Sequence, residues 1–356
     1  MPQKSSQARE EIAHRLIVAL GTTLTGRNPK LATMVFDQVP PRSQAYPFAK
    51  FHKLHALMQC GEYEKMNELA HTQLGEHSPG DFLYAGTLYF LGGAAWAVGD
   101  GKGALNYFRQ ARKENRNCGD ETLEAATIAG IGLAYFALYD LDKAQEHAEL
   151  AHEKYLSLGN RIGTTDATGN LAEVYEARGE LDKAQTFSEQ AAIYYRELGR
   201  IDGLANQLGI AGNIHVERGQ HKEAIQKYEA AYELMSSSSH KRGASYILSM
   251  IGVCKAEMAT TGTDLSKEDF DHAIGEALKA LFRARSMIET LGIRSDLRNA
   301  AWIAICYDRL GQSELERQHA KLMRNMANEQ GVVPEDCHVV FSELFKEMEH
   351  ILSDAQ

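Results

Sequence analysis

The sequence predicts an all-α chain, built as a solenoid of antiparallel helix pairs. Three observations predict it. Segments starting at Leu88, Ile128, Thr168 and Leu208 align without gaps at a constant spacing of 40 residues. Glycine recurs at one point within them, and the 356 residues contain only 7 prolines. A fixed period of this kind marks a repeat array, whose core extends along one axis rather than closing into a ball. Scarce proline suits long helices, because proline removes a backbone donor and clashes with the preceding turn.

The four segments read LYFLGGAAWAVGDGKGALNYFRQA, IAGIGLAYFALYDLDKAQEHAELA, TGNLAEVYEARGELDKAQTFSEQA and LGIAGNIHVERGQHKEAIQKYEAA. One column holds Ala104, Ala144, Ala184 and Ala224, and another Ala111, Ala151, Ala191 and Ala231. A third holds Gly92, Gly132, Ala172 and Gly212. Small residues at these places let two helices approach closely. The turn column holds Gly99, Tyr139, Gly179 and Gly219. Glycine there supplies the left-handed conformation that stops a helix. Asp100 and Glu180 come directly after it, where acidic side chains favour the start of the next helix. Tyr139 departs from the column, but its neighbour Asp140 can cap the next helix.

This pattern of small residues, glycine turn and alanine resembles the tetratricopeptide repeat family. The resemblance implies a right-handed superhelical solenoid. The family's usual period is about 34 residues, so the longer period here lengthens the second helix and its loop. A second glycine ends that helix in Leu158-Gly159-Asn160, Leu198-Gly199-Arg200 and Leu291-Gly292-Ile293. The long-period form is similar to a subgroup that includes the LGN/Pins polarity adaptors and rapsyn-like scaffolds. The segment GNLAEVYEARGELDKA, Gly169 to Ala184, carries that likeness.

Weaker copies flank the centre. Roughly residues 7–38 read as a degenerate pair ending at Pro40-Pro41, and MPQKSS before it as loose. Phe48 to Gln73 reads as a pair turning at Gly61, and Gly243 to Ala259 as a first helix with Gly252 at the small position. Its partner is expected from near Phe270, after the polar insert TTGTDLSKED. Leu297 to Gly311 and Gln312 to Glu329 form a last pair, GVVPED breaks the chain, and Glu335 to Leu352 reads as a terminal helix. The expected organisation is a cap over 1–42, regular repeats over 43–235, degenerate repeats over 236–333 with an insert near 260–269, and a capping helix and tail over 334–356. Ser236 to Ser239 reads as a loop.

The net charge of −10 argues against a general nucleic-acid surface, which needs clustered cations. One basic stretch exists, Arg109, Arg112, Lys113 and Arg116, and it reads as a solvated helix end. No apolar run reaches the roughly 18 residues that span a bilayer, and the amino terminus lacks a secretory apolar region. The 5 cysteines, Cys60, Cys118, Cys254, Cys306 and Cys337, are scattered, which fits free thiols in a reducing compartment. The expected location is cytoplasmic. No phosphate-cradling glycine loop and no HExxH is present, and His52 and His55, although at helical spacing, have no clear third ligand. No catalytic residue, metal or cofactor is expected, and no enzyme activity.

In the family that the chain resembles, the first helix of each pair lines the concave face. Carried onto this sequence, the groove candidates are Tyr89 and Trp96, then Leu133 and Phe136 (with Ala126 and Ala129), then Asp166, Asn170, Glu173 and Glu176, and finally Asn206, Asn213 and Glu217. The earlier half is apolar and aromatic, the later half amide-rich and acidic. Aromatics there would anchor apolar side chains, and carboxylates would favour Lys or Arg in a partner. Aromatics at helical spacing are also the ordinary content of a core. Asn170 occupies the position where LGN-like repeats carry a groove asparagine, whose amide can hold a peptide backbone. Co-chaperone repeats that clamp acidic tails use Lys, Arg and Asn; the corresponding helices here carry Tyr89, Gly93, Gly169 and Glu173, so that partner class is not expected. The leading expectation is an adaptor or scaffold that binds a peptide or helix, basic and amphipathic, in the groove. The alternatives are a peptide-sensing regulator and a non-catalytic subunit of a large cytoskeletal or ciliary assembly. Oligomeric state is left open.

Overall fold

A computed structural model describes residues 2–25, 28–236, 241–261, 265–290 and 297–330. Among them are sixteen α-helices and no strand. Compactness divides the chain into two units, Met1–Arg200 and Ile201–Gln356. The division falls inside the expected 43–235 block.

The first unit holds α1 (Pro2–Thr25), α2 (Pro29–Phe36), α3 (Tyr46–Cys60), α4 (Tyr63–Glu76), α5 (Phe82–Ala97), α6 (Gly101–Cys118), α7 (Glu121–Ala137), α8 (Leu141–Ser157), α9 (Arg161–Ala177) and α10 (Leu181–Glu197). α7 and α9 start 40 residues apart, as the repeat requires. α1 begins at Pro2, so the expected loose amino terminus is instead helical; proline is tolerated in a first turn because its missing donor would be unpaired anyway.

Helix ends are set by local chemistry. Asp81, Asp100, Asp120, Asp140 and Asn160 each accept a backbone N–H of the turn they precede. Glu180 makes no such cap bond; its carboxylate pairs with Arg178 and Lys183 instead. Gly99 and Gly179 close their helices with φ of 86° and 74°, and Tyr139 adopts 61° in the same role. The turn is the same in each: Asp100, Asp140 and Glu180 donate their N–H back to the carbonyls of Ala95, Tyr135 and Tyr175. A non-glycine residue therefore carries out the glycine step, at the steric cost of the left-handed region.

The alanine columns are core. Ala104, Ala144, Ala184, Ala111, Ala151 and Ala191 are all fully buried. The third column shows what its small residues face. A Cβ on Gly92 would sit 2.7 Å from the Phe108 ring on the second helix of its own pair. Where that column carries Ala172, the matching place on the second helix holds the smaller Ser188.

Consecutive first helices touch, α3 with α5, α5 with α7 and α7 with α9, whereas consecutive second helices do not. The stack therefore bends toward its first helices, which form the inner face of this unit.

The second unit holds α11 (Ile201–Glu217), α12 (His221–Ser236), α13 (Lys241–Thr261), α14 (Lys267–Thr290), α15 (Leu297–Arg309) and α16 (Ser313–Gln330). Ala224 and Ala231 are fully buried here, and a Cβ on Gly212 would lie 2.4 Å from the Tyr228 ring. α14 starts earlier than expected. Ser266 accepts the N–H of Asp269, and its hydroxyl bonds back to the Asp269 carboxylate. Ser266 thus acts as the N-cap of α14, in the sequence Ser-Lys-Glu-Asp. Asn299, 2% exposed, donates to Ser249 Oγ at 2.9 Å and to the Leu281 carbonyl at 3.0 Å, which ties α15 to α13 and α14. The expected loop at 237–239, the centre of the insert at 262–264, the turn at 291–293 and the terminal helix after 330 lie outside the described residues.

Candidate functional site

The first helices α5, α7 and α9 of the first unit carry the earlier groove candidates. Trp96 is 40% exposed near the end of α5. Tyr89, by contrast, is a packing residue. Its ring lies 5.6 Å from both Phe90 and Phe108, and burial, with the Asp166 charge second, pushes its phenol up to about 12. Leu133, Phe136, Ala126 and Ala129 are half-buried on α7, the two alanines packed against the core that Ile128 and Tyr155 share.

On α9, Asp166, Asn170, Glu173 and Glu176 are all half-buried. Asp166 is already engaged within the chain. Arg200 Nη1 donates to both carboxylate oxygens, at 2.7 and 2.8 Å, and the Tyr195 hydroxyl donates to Oδ1 at 2.9 Å. The expectation that Asp166 offers an uncommitted carboxylate to a partner is thus altered: a neighbouring guanidinium, invisible to repeat alignment, neutralises it. Its charge is also felt by Tyr89, Tyr155 and His55, so these groups gather on one region of the unit. Asn170 makes no side-chain hydrogen bond among the described residues and keeps its amide accessible. The charge of Glu176 acts on Tyr139, and that of Glu173 on Tyr195. α5 thus offers an exposed indole, and α9 an amide with open capacity, two half-buried carboxylates and a self-neutralised ion pair. Such a surface can bracket an extended backbone and accept cationic side chains.

The candidates on α11 belong to the second unit. Asn206 and Glu217 are exposed, while Asn213 accepts a hydrogen bond from the buried Tyr228 hydroxyl at 2.7 Å.

His52 and His55 each pack against an aromatic ring. His55 stacks on Phe90 at 5.8 Å and His52 on Phe36 at 6.2 Å. Burial first, then the charges of His52 and Arg200, push the His55 imidazole down to about 4. Two further clusters stand outside the groove candidates, of which sequence reading named only the first. The basic stretch of α6 is largely solvated, as expected: Arg109, Lys113 and Arg116 are exposed and Arg112 is half-buried. With Ile131, Tyr135 and His147 these four cations line an open surface depression. Arg109 donates to the Tyr135 hydroxyl at 2.6 Å, and Arg112 pairs with Glu124 at 2.9 Å. In the second unit, His221, Cys254 and Glu257 converge from two helices. The i, i+3 spacing of Cys254 and Glu257 was legible; their approach to His221 was not.

The described cysteines Cys60, Cys118, Cys254 and Cys306 are free thiols, and Cys337 lies outside the described residues. No described helix is long and apolar enough to cross a membrane.

Residues 163–237 match the tetratricopeptide repeat family. No curated protein sequence matches the chain. In structure the chain is similar to a Rap protein complexed with Competence and Sporulation Factor, at 12% identity and a TM-score of 0.65, covering 97% of this chain and 100% of that one. It is similar to NprR in complex with its cognate peptide NprX, at 12% identity and a TM-score of 0.60, covering 96% and 97%. It is also similar to a chain of the APC/C hetero-tetramer Cut9-Hcn1, at 15% identity and a TM-score of 0.62, covering 94% of this chain and 55% of that one. These likenesses show the fold, a tetratricopeptide-type stack of helix pairs.

Proposed function

We propose that the chain is a protein-interaction adaptor that receives a peptide segment of a partner on the inner face of its first unit. The observation that carries this reading is α9. It carries Asn170, half-buried and without a side-chain hydrogen bond, beside the half-buried Glu173 and Glu176 on one of the first helices that touch along the stack. An amide can donate and accept together and so hold a backbone, while the carboxylates favour Lys or Arg on either side of it. A basic, amphipathic segment fits, with an apolar residue toward Trp96. The long period and the GNL of α9 make LGN-like adaptors the pattern for this reading. No cofactor enters it, and the repeat stack serves as scaffold rather than catalyst.

A second reading is favoured by one specific observation. Two full-length structural likenesses are to proteins solved with a bound factor or cognate peptide. In a peptide-sensing regulator the bound segment would shift the curvature of the stack and thereby alter a partner's activity.

The test is selection of peptides from a displayed random library by the intact chain and by an Asn170→Ala, Glu173→Lys double variant. The expected result is a consensus rich in Lys or Arg that the double variant binds about tenfold or more weakly. Equal binding by the folded variant would move the site off α9. X-ray scattering with the selected peptide separates the readings: a changed profile supports the regulator, an unchanged one the adaptor.

A further inference from the structure

We propose that the second unit contains a binding site for a zinc-class divalent cation, made by His221, Cys254 and Glu257. Cys254 and Glu257 are one helical turn apart on α13, so their side chains leave the same face. His221 is the first residue of α12, brought to that face by the left-handed turn at Gly219, φ 71°. One ligand atom from each residue lies within 4.8 Å of the other two, and His221 Nδ1 is 3.4 Å from Glu257 Oε2.

These separations suit a metal better than a hydrogen bond. A tetrahedral zinc with bonds of about 2.0–2.3 Å sets its ligand atoms about 3.3–3.6 Å apart. The histidine–carboxylate pair already has that spacing, and the thiol sulfur, within 4.8 Å of both, needs at most about 1.3 Å of closure. His221 Nδ1 is shielded from solvent and makes no hydrogen bond, although it stands at ion-pair distance from Glu257. A buried ring nitrogen in that condition is costly, and a coordinate bond would satisfy it.

The donors select the ion. Imidazole, thiolate and carboxylate together suit a borderline-soft cation such as Zn²⁺, whereas Mg²⁺ and Ca²⁺ take oxygen. Binding releases the Cys254 thiol proton to solvent, and the resulting thiolate and carboxylate neutralise the two positive charges. Three protein ligands leave a fourth position for water. The ion would tie the start of α12 to the middle of α13 and so stiffen the second unit.

The alternative is that Cys254 is a small core residue and His221–Glu257 an ordinary ion pair. The experiment titrates the reduced, metal-depleted full chain with Co²⁺ and then Zn²⁺. The expected result is one equivalent of Co²⁺ with a thiolate-to-cobalt charge-transfer band that Zn²⁺ displaces. Cys254→Ser should lose the band although the other four of the 5 cysteines remain. His221→Gln, at a half-buried surface position, should bind roughly tenfold or more weakly and keep native circular dichroism. The proposal is overturned by absence of the band, by a band that survives in Cys254→Ser, or, should that variant not fold, by unchanged Zn²⁺ affinity in His221→Gln.

Discussion

The tight column of small residues makes a quantitative prediction through Gly92. Adding a methyl group at Gly92 places a carbon 2.7 Å from Cδ1 and Cε1 of Phe108, where ordinary contact begins near 3.4 Å. The ring must therefore retreat by roughly 0.7 Å, the scale of shift that makes overpacking costly. It has little room to do so. Phe108 is 2% exposed, and a Cβ on Gly130, from α7, would lie 2.6 Å from Cε1 of the same ring. Tyr89 packs 5.6 Å away. The ring is wedged between glycines of two consecutive first helices. Overpacking of this kind costs about 1–3 kcal/mol. Alanine recovers about 1 kcal/mol of helix propensity, so Gly92→Ala should destabilise by about 1 kcal/mol net. Gly275 is the control. It lies inside α14 and a Cβ there meets nothing within 4 Å, so Gly275→Ala should stabilise by about 1 kcal/mol. The 2 tryptophans, Trp96 and Trp302, fall one in each unit. Urea unfolding monitored by fluorescence in a Trp302→Phe background reads the first unit, and in a Trp96→Phe background the second. A Gly92→Ala protein as stable as its parent would refute the wedge; so would equal shifts for the two glycines.

Asn299→Ala should lower the stability of the second unit by about 2 kcal/mol, because it strips a buried amide from Ser249 and from the Leu281 carbonyl; the Trp302 transition reports it, and a change no larger than that of an exposed residue would count against the buried network. His55 makes the first unit sensitive to acid. Its unfolded imidazole titrates near 6.5 and the folded one near 4. Above 6.5 both states are neutral and the full stability is present; as pH falls from 6.5 towards 4, only the unfolded chain takes up the proton, and stability drops. His55→Phe should flatten the Trp96 unfolding midpoint across that range, and an unchanged slope would exclude His55 as the cause.

Much of this architecture could be read from sequence because its determinants are local. A helix stops where a residue accepts a left-handed turn, as at Gly99 and Gly179, and starts where an Asp or Asn side chain caps it. The alanine columns are buried because a 40-residue period returns each to the same packing environment. Even Ser266–Asp269 was written locally, and only the turn-rich look of the insert hid it. The candidate face was legible in part. Asn170 could be named from its place in the repeat, and Trp96 from its helical register. The rest required packing. Repeat register cannot distinguish Tyr89, held among Phe90 and Phe108, from Trp96, which stays exposed, since both stand on the same side of α5. The pairing of Asp166 with Arg200 depends on how the end of α10 folds back on α9. The cation-lined depression needs α6 beside Tyr135 and His147, and the His221–Cys254–Glu257 cluster needs α12 beside α13. In the regular repeats the sequence alone determined where helices stop and start and where their small residues fall, because bonds between near neighbours decide those features. Only the tertiary structure decided which polar groups meet, because side chains from different helices come together through interhelical packing, on which local periodicity is silent.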